Sequence, residues 1–573
     1  MSIQWSRQMA TQSSMRGEIE AVSRSLTEEW GVDDWEICLP QVTALLVEFA
    51  PDEQQMTRLL IAPMTPYAMH SNNIPTSTNP TEALTQKLRD GLLRCCSISS
   101  QLGLQACWLL QDAAVDASPR AAAWASRLTR ECWMVSARPG SRDSATLIKA
   151  LTRACESLAR VDRMKRRERH RLSPFLASLN TWLERTVISS ESSLDLRGVR
   201  LPLMPLYSGQ QLRILCIDVD SSTVMPSRAR APTLLYCEAL EIPDNEQQNK
   251  IKPKINTHLN QHRVIESTLN ASPILRRIFS PCWAEREEQM KAKSKFAHLQ
   301  GWRLASFLVK ADDELRREQL AMQAVRLMQE IFAIENVNGW FRPYQVICTG
   351  PRAGLVETLP DAKSLDFVKR NFLKFLGAAD LSHVRTVSLA AYFDAAYPRP
   401  EDRIRAAHNF AVSLASYSLM TYALDVKDRH NGNLLIDAAG HVVHIDFSYM
   451  LGSSPGGIGF ESAPFKFNSD FLAVLGGPQA APFATFLDVL TNGLHALAKH
   501  RRKLSALLAL FFVDQPAKTQ HALATDLARK FADLDGTKLT TFAVARGLIK
   551  EALASKRTDQ YDWYQWKTNG IIS

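Results

Sequence analysis

The stretch DRHNGNLLIDAAGHVVHIDF, residues 428–447, decides how this chain folds and which chemistry it carries. A polar loop comes first, and two short apolar runs follow it, Leu434–Asp437 and Val442–Ile445. Apolar runs of this length on either side of a turn predict a β-hairpin. Gly440 supplies the residue that a tight turn needs at positive φ.

The predicted hairpin brings an amide and a carboxylate together at its open end. A turn centred between Ala439 and Gly440 places Asn433 directly across the ladder from Asp446, with Cβ atoms about 4.5–5.5 Å apart. One divalent cation can bridge that gap, and Mg²⁺ prefers a few protein oxygens together with water and phosphate oxygens. We therefore expect Asn433 and Asp446 to bind Mg²⁺, or Mn²⁺ in its place, beside the terminal phosphate of ATP.

A second part of an ATP site lies upstream of the hairpin. Trp302–Lys310 is predicted to be a strand, and a helix is predicted to start at Asp312 and Asp313. Glu318 falls on the apolar stripe of that helix, and a buried acid is costly unless it is paired. Lys310 is the predicted partner. The alternative is that Glu318 lies at the edge of the stripe, in solvent.

Three motifs resemble the phosphatidylinositol 3-/4-kinase family, and most of all its type III 4-kinase beta branch. They are DRHNGN at 428–433, HVVHIDF at 441–447 and SSPGGIGFESAPFKF at 453–467. The order Asp, Arg, His in the first motif is that of the lipid kinases. Ser448 departs from the family, which has Gly there, and a left-handed Ser448 would cost roughly 1–2 kcal/mol.

The resemblance implies an α+β fold. We expect a bilobal lipid-kinase catalytic domain, with a β-rich small lobe and a mainly helical large lobe, after an α-helical N-terminal domain. The expected boundaries are a helical, lipid-kinase-unique-like domain at 1–185, a small lobe at 195–360 with a polar insert near 243–285, and a large lobe at 361–573. The large lobe would contain a catalytic loop at 428–433, an activation loop at 446–467 and a C-terminal helix.

The resemblance also implies roles for the loop residues. Asp428, His430, Asn433 and Asp446 would be the catalytic residues. A histidine near its reference pKa of about 6.5 suits proton abstraction at neutral pH, so His430 is the preferred base. Asp428 would then position the substrate, although either side chain could act as the base or only orient the attacking hydroxyl.

Further ATP contacts follow from the same resemblance. Glu357 and Leu359 would offer backbone groups to the adenine, and Tyr344 would line its pocket. The segment KSKFAHLQ at 293–300 stands where the family has its phosphate-covering loop. Ser294 and Lys295 are the candidate contacts there.

The loop after Asp446 is expected to select the phosphate acceptor. Between Asp446 and Asp470 the only charged residues are Glu461 and Lys466. A headgroup that already carries phosphates would need several Lys or Arg residues, because each phosphate adds about −1.5 to −2 charges. The loop therefore favours phosphatidylinositol itself, with Lys466 and Phe465 as substrate contacts, unless Lys466 is simply solvated. Only the similarity of GFESAPFKF to the 4-kinases favours the 4-hydroxyl over the 3-hydroxyl.

Composition sets the wider limits. A chain of 573 residues is expected to form two or three domains, and its 46% hydrophobic content is typical of globular proteins. No apolar stretch reaches the roughly 18 residues of a membrane span, and the N-terminus has no signal-peptide core. Ten cysteines without a CxxC pair indicate a reduced, cytoplasmic protein. The net charge of +9 favours an anionic partner, here acidic membrane and not nucleic acid.

Two segments have open roles. Arg160–Arg171 is strongly basic and is either a membrane- or partner-binding face or the solvated side of a helix. The aromatic segment 561–573 either enters the membrane interface or packs on the large lobe. The resemblance implies a peripheral protein of the Golgi membrane, recruited by small GTPases and adaptor proteins, and implies no oligomer. The alternatives are a phosphatidylinositol 3-kinase, a protein kinase and a catalytically weak kinase-like scaffold.

Overall fold

The computed structural model describes most of the chain. The described residues are 32–48, 50, 80–115, 117–137, 141–188, 198–203, 210–227, 230–243, 269, 272–381, 384–455, 462–511, 526, 529–531, 534 and 538–573. The polar insert predicted near 243–285 lies largely outside them, as do residues 456–461 of the predicted activation loop. None of the helices within these ranges combines the length and the apolar character that a membrane crossing needs.

The N-terminal part consists of helices. They are α1 (Val32–Glu48), α2 (Pro80–Ile98), α3 (Ser100–Ala113), α4 (Pro119–Ser136), α5 (Ser141–Ala159) and α6 (Arg169–Ile188). Apolar residues continue through 84–110, but one helix ends at Ile98 and the next begins at Ser100. The Ser99 backbone is extended and its hydroxyl accepts the Leu102 N–H, so it caps a new helix. A capping serine thus divides an otherwise uniform apolar pattern.

The small lobe is built on an antiparallel sheet. Its strands are β1 (Val199–Leu201), β2 (Gln210–Ile217), β3 (Thr223–Val224), β4 (Thr233–Pro243), β5 (Trp302–Ala311), β6 (Val346–Gly350) and β7 (Ala353–Glu357), in the order β1-β2-β4-β5-β7-β6 with β3 paired to β4. Ala305, Phe307 and Val309 of β5 share one buried cluster with α5 and α6. Because side chains alternate along a strand, Lys310 points to the opposite face.

Among the described residues, the remaining elements are three helices that lie between strands of this sheet in the sequence and the elements of the large lobe, which follow β7. They are α7 (Pro273–Phe279), α8 (Trp283–Lys291), α9 (Arg316–Ile334), β8 (Ala362–Ser364), α10 (Leu365–Phe375), α11 (Leu389–Ala396), α12 (Pro400–Leu424), β9 (Leu434–Asp437), β10 (Val442–His444), α13 (Ser469–Val474), α14 (Ala481–Lys499), α15 (Arg501–Phe511), α16 (Lys538–Leu553) and α17 (Lys556–Asn569). Strands β8, β9 and β10 form a second, small sheet. The α+β, bilobal architecture is therefore confirmed.

Helix α9 connects the small lobe to the helical N-terminal part. Its side chains Met322, Val325 and Met328 are buried in the same cluster as residues of α1 and α3. The buried side-chain amides of Gln41 and Gln323 exchange two hydrogen bonds, of 2.8 and 3.0 Å. Burial of these polar groups is tolerated because each amide satisfies the other. The position of α9 is thus fixed by contacts on both sides.

The β9–β10 hairpin forms where predicted, but its register differs by one residue. His444 pairs with Leu434, and the Ile445 N–H donates to the Asn433 carbonyl at 3.1 Å. Asn433 therefore lies opposite Ile445 and not opposite Asp446. The reason is Asp437, whose Oδ1 accepts the backbone N–H groups of residues 439 and 441. This side chain stabilises a three-residue turn in place of the even-numbered turn that was expected.

Gly440 is required at that turn, as predicted. Its φ is +93°, and a Cβ there would lie 2.8 Å from the Ala406 carbonyl oxygen. We expect Gly440→Ala to lower the free energy of unfolding by about 1–3 kcal/mol, because it adds left-handed strain and a clash. Chemical denaturation measures the loss. Gly452→Ala is the matched control, since Gly452 has φ +85° but a Cβ added there would meet no atom within 4 Å. Equal losses in both variants would contradict the clash.

Candidate active site

Lys310 and Glu318 form a buried ion pair between the sheet and α9. Lys310 Nζ lies 3.0 Å from Glu318 Oε2, and Asp313 Oδ2 lies 3.8 Å from the same nitrogen. Burial alone would lower the pKa of Lys310, but the nearby carboxylates of Glu318, Asp446 and Asp313 raise it. Lys310 therefore keeps its positive charge in the cleft. The ion pair that the sequence predicted is present.

Tyr344 completes this pair. Its hydroxyl donates to Glu318 Oε1 at 2.7 Å, so both oxygens of Glu318 have partners inside the protein. The Tyr344 side chain is buried, and its pKa is raised by burial and then by the Glu318 charge. The contact gives Tyr344 a positioning role in addition to its predicted place beside the adenine.

The predicted adenine hinge follows β7. The Glu357 N–H donates to the Gln345 carbonyl at 2.8 Å, and the Glu357 carboxylate accepts the Gln345 N–H at 2.8 Å. The Glu357 backbone N–H is therefore already hydrogen-bonded to another part of the protein. In the part of the chain that the structure describes, the Leu359 N–H finds no acceptor. A free backbone donor at Leu359 fits the predicted contact with the adenine.

Ser294 and Lys295 lie away from Lys310. The Ser294 hydroxyl donates to the Glu238 carboxylate, and Lys295 Nζ donates to Glu184. Glu238 pairs with Leu304 in the β4–β5 ladder. Leu304 is six residues from Lys310 along β5, which is about 20 Å at roughly 3.3 Å per residue. The structure therefore does not bring Ser294 and Lys295 together with Lys310, and their contact with phosphate stays a prediction.

The two ends of the β3–β4 connection, residues 225–227 and 230–232, lie near Lys310. Thr233, the first residue of β4, pairs with Val309 next to Lys310. Arg230 Nη1 lies 2.6 Å from Asp313 Oδ1, on the carboxylate that also faces Lys310. The sequence analysis did not identify this segment, although MPSRARAP is rich in Arg and Pro. Its basic residues and its place in the strand order were the usable signals.

Asp446 follows the hairpin at the floor of the cleft. It adopts φ +58°, and its Oδ1 accepts the Ser448 hydroxyl at 2.8 Å. Burial alone would raise the pKa of Asp446, but Lys310, the Ser448 hydroxyl and Arg429 lower it. Ser448 is not among the residues with positive φ, so the predicted strain at this position is absent. Asp446 is thus held as an ionised carboxylate.

Asn433 and Asp446 have the donor atoms that a hard cation needs. Asn433 Nδ2 donates to the carbonyl and the carboxylate of Asp428, at 3.0 and 3.2 Å. Within the described residues, no group donates to Asn433 Oδ1 or to Asp446 Oδ2. One amide oxygen and one carboxylate oxygen therefore remain for a ligand. The residues fit Mg²⁺ or Mn²⁺, although the ladder register does not place them opposite each other.

The hydrogen bonds of His430 argue against its role as the base. His430 Nδ1 accepts the Gly432 N–H at 3.0 Å, so the neutral ring carries its proton on Nε2. A Cβ at Gly432 would lie 2.9 Å from this ring, so the contact depends on glycine. Burial lowers the pKa of His430 to about 4, with further lowering by Lys466 and Arg429. Neither nitrogen is free to accept a proton near neutral pH.

Asp428 is better suited than His430 to accept the proton of the attacking hydroxyl. Burial raises its pKa above the ordinary range, although hydrogen bonds from Tyr561 and Asn433 and the charge of Arg429 oppose this rise. A carboxylate of raised pKa is a stronger base than a solvated one. This geometry favours Asp428 over His430 as the base, the reverse of the preference drawn from the sequence, because the backbone contact of His430 could not be read from the motif.

Arg429 ties the catalytic loop to the hairpin. Its guanidinium donates to the carbonyls of Lys427, Ile445 and Asp446, and it lies over the Phe447 ring at 5.2 Å. Four contacts on one buried side chain leave it no free donor face for substrate. Arg429 therefore has a structural role in this arrangement.

Lys466 and Phe465 are both buried, which bears on their predicted contacts with substrate. Lys466 Nζ pairs with Asp562 Oδ1 of α17 at 2.7 Å and donates to Asn431 Oδ1 at 3.2 Å. The Phe465 side chain is 2% exposed. In this arrangement the positive charge of Lys466 is paired with the Asp562 carboxylate inside the protein. A substrate contact through Lys466 would require α17 to move.

The C-terminal helix α17 packs on the catalytic loop. The Tyr561 hydroxyl donates to Asp428 Oδ1, and the Ile572 carbonyl accepts from Asn431 Nδ2 at 2.9 Å. Packing on the large lobe, one of the two predicted alternatives, is therefore present in the structure. Trp563 and Tyr564 on the same helix remain 47% and 42% exposed.

A small lobe with a buried Lys–Glu pair, facing a catalytic loop and an ionised aspartate on a hairpin, defines a kinase catalytic domain. Residues 305–518 match the family model described as phosphatidylinositol 3- and 4-kinase. This part of the chain is therefore similar to the phosphatidylinositol 3- and 4-kinase family, in agreement with its motifs.

Curated relatives agree with this assignment. "Phosphatidylinositol 4-kinase PIK1" of Saccharomyces cerevisiae is 35% identical over 54% of this chain and 30% of that protein. "Phosphatidylinositol 4-kinase" of Dictyostelium discoideum is 35% identical over 54% of this chain and 25% of that protein. "Phosphatidylinositol 4-kinase beta" of Sorex araneus is 33% identical over 51% of this chain and 35% of that protein. The aligned part of the chain thus spans about a quarter to a third of each relative's length.

Proposed function

We propose that this chain transfers the γ-phosphate of ATP to the 4-hydroxyl of phosphatidylinositol, giving phosphatidylinositol 4-phosphate. The observation that carries the proposal is the charge arrangement around Asp446. Its carboxylate acts on Lys310, whose pKa it raises, and on Asp428, whose pKa it also raises. The ionised carboxylate of Asp446 therefore lies close enough to interact electrostatically with both Lys310, the proposed phosphate-binding residue, and Asp428, the proposed base.

Each residue has a distinct role in this proposal. Lys310, positioned by Glu318 and Tyr344, binds the phosphates of ATP, and the free Leu359 N–H binds the adenine. Asn433 and Asp446 hold Mg²⁺ or Mn²⁺, which neutralises phosphate charge when bound. Asp428 accepts the proton of the attacking hydroxyl.

The acceptor is expected to carry no further phosphate groups. In the described residues between Asp446 and Asp470, Lys466 is the only cation, and it is paired with Asp562. A phosphorylated inositol would lack the cations that its added charge requires. The names of the relatives support the 4-hydroxyl over the 3-hydroxyl.

An assay with ATP, Mg²⁺ and phosphatidylinositol vesicles tests the proposal. The wild-type chain should form phosphatidylinositol 4-phosphate, and a chelator of divalent cations should abolish the reaction. Lys310→Met and Asp446→Asn should each reduce kcat on the order of 10³-fold, because each removes charge stabilisation of the transferred phosphoryl group. Retention of the circular dichroism spectrum is the control. A product phosphorylated on the 3-hydroxyl, or undiminished turnover in either variant, contradicts the proposal.

The assignment of the base has its own test. We expect Asp428→Asn to reduce kcat by about 10²–10⁴-fold, whereas His430→Gln, which keeps an acceptor near the Gly432 N–H, should lose much less. The raised pKa of Asp428 predicts that kcat/KM falls as the pH drops through that pKa, because the protonated carboxyl cannot accept a proton. The pH profile of wild type and both variants measures this. A larger loss for His430→Gln would return the role to His430.

We further propose that the protein acts as a peripheral protein on the cytoplasmic face of Golgi membranes, recruited by small GTPases and adaptor proteins. The beta-type names among the relatives and the net charge of +9 support this. A fluorescently tagged chain should overlap with a Golgi marker in cells. A distribution without Golgi enrichment would contradict this location.

A further inference from the structure

Most of the basic segment 160–171 is not a helix face. Residues 160–168 connect α5 to α6 and contain a tight turn over residues 163–167, and only residues 169–171 belong to the first turn of α6. Asp162 holds this turn, since its Oδ1 accepts the Met164 N–H at 2.9 Å and its carbonyl accepts the Arg166 N–H at 3.0 Å. We refer to residues 160–171 as the basic loop. Its compact form removes the alternative that these charges are merely the solvated side of a helix.

The basic loop is anchored at the Lys310 end of the small lobe. The buried Arg166 donates to the Arg230 carbonyl at 2.6 Å, within the β3–β4 connection. Arg169 Nη2 donates to the Asp220 carbonyl at 2.5 Å, within the β2–β3 connection. Because Arg230 itself pairs with Asp313 beside Lys310, only a short chain of contacts separates the basic loop from the ATP site.

The other basic side chains of this loop face solvent. Arg160, Arg163, Lys165 and Arg167 are exposed, and no carboxylate in the described part of the chain pairs with them. Met164, between two of these cations, is 83% exposed, more than any other large apolar side chain that the structure describes. Like-charged side chains without carboxylate partners give this surface a positive potential that attracts anions, and the apolar Met164 side chain is exposed among them.

We propose that the basic loop binds an anionic membrane surface. The cations match the negative charge of acidic phospholipids, and an apolar tip between them can enter the headgroup region. A nucleic-acid site would instead be expected to combine cations with large aromatic side chains for stacking, and the loop has no Phe, Tyr or Trp. The inference rests on the proposed function insofar as the acceptor is a membrane lipid. Loop binding would then hold the ATP end of the cleft at the membrane that contains the acceptor.

Sedimentation of the full chain with lipid vesicles tests the proposal without catalysis. The vesicles are phosphatidylcholine with or without phosphatidylserine, and they contain no phosphatidylinositol or ATP. Arg163→Glu with Lys165→Glu should weaken binding to phosphatidylserine vesicles on the order of 30-fold or more, because each cation contributes about fivefold. Arg502→Glu with Lys503→Glu is the matched control, since both residues are exposed on α15, and it should change binding by less than about twofold.

A second comparison addresses the apolar tip. Met164→Ser should weaken vesicle binding, whereas Met164→Leu should retain it. Phosphorylation of monomeric, short-chain phosphatidylinositol should be unchanged in the Arg163→Glu, Lys165→Glu variant, which shows that the variant is folded.

Equal losses in the loop and control variants, or wild-type binding by the loop variant, would overturn the proposal. Displacement of the chain from vesicles by a lower concentration of single-stranded nucleic acid would also overturn it. If the loop variant alone loses vesicle binding while the wild-type chain phosphorylates no phosphatidylinositol, the membrane site is supported and the proposed enzymatic function fails.

Discussion

The buried carboxylate of Glu318 is the constraint on which the catalytic domain depends. A charge in the interior is tolerated only when its partners compensate for lost hydration, and Glu318 has one partner on each oxygen. Lys310 comes from β5, Tyr344 comes from the segment before β6, and Glu318 itself belongs to α9. Removal of either partner would leave a buried charge unsatisfied. One side chain thus fixes the helix to two parts of the small-lobe sheet.

The same helix carries this constraint to the N-terminal helices. The reciprocal amide contact between Gln41 and Gln323 lies five residues beyond Glu318, on the next turns of α9. An unpaired buried amide would be costly, so the two helices are held in one relative position. The N-terminal helical part is therefore a direct support of the Lys310–Glu318 pair and not a separate attachment to the kinase domain.

In the large lobe, the catalytic loop is likewise held by polar contacts, which come from the C-terminal helix α17 and the residues after it. Helix α17 supplies Tyr561 to Asp428 and Asp562 to Lys466, and residues after the helix bind Asn431. These contacts exclude water from the loop, which is why burial is the largest cause of the raised pKa of Asp428 and the lowered pKa of His430. The proton affinities of the motif residues are set by a segment more than 100 residues away in the sequence.

What the sequence determined is local. The strands of the hairpin, β5, the stripe of α9 and the positive φ of Gly440 follow from apolar periodicity and from turn chemistry, which act over a few residues. The Lys310–Glu318 pair was also predictable, because an acid on an apolar stripe requires a partner and Lys310 lies on the preceding strand, eight residues before Glu318.

What only the tertiary structure decided depends on distant contacts. The hairpin register follows from a local contact of the Asp437 side chain, whereas the position of the β3–β4 connection near Lys310 depends on the order of strands in the sheet. The internal pairing of Lys466 with Asp562 depends on where α17 packs. A motif specifies which side chains are present, but their free oxygens, protonation and partners depend on segments that folding brings beside them.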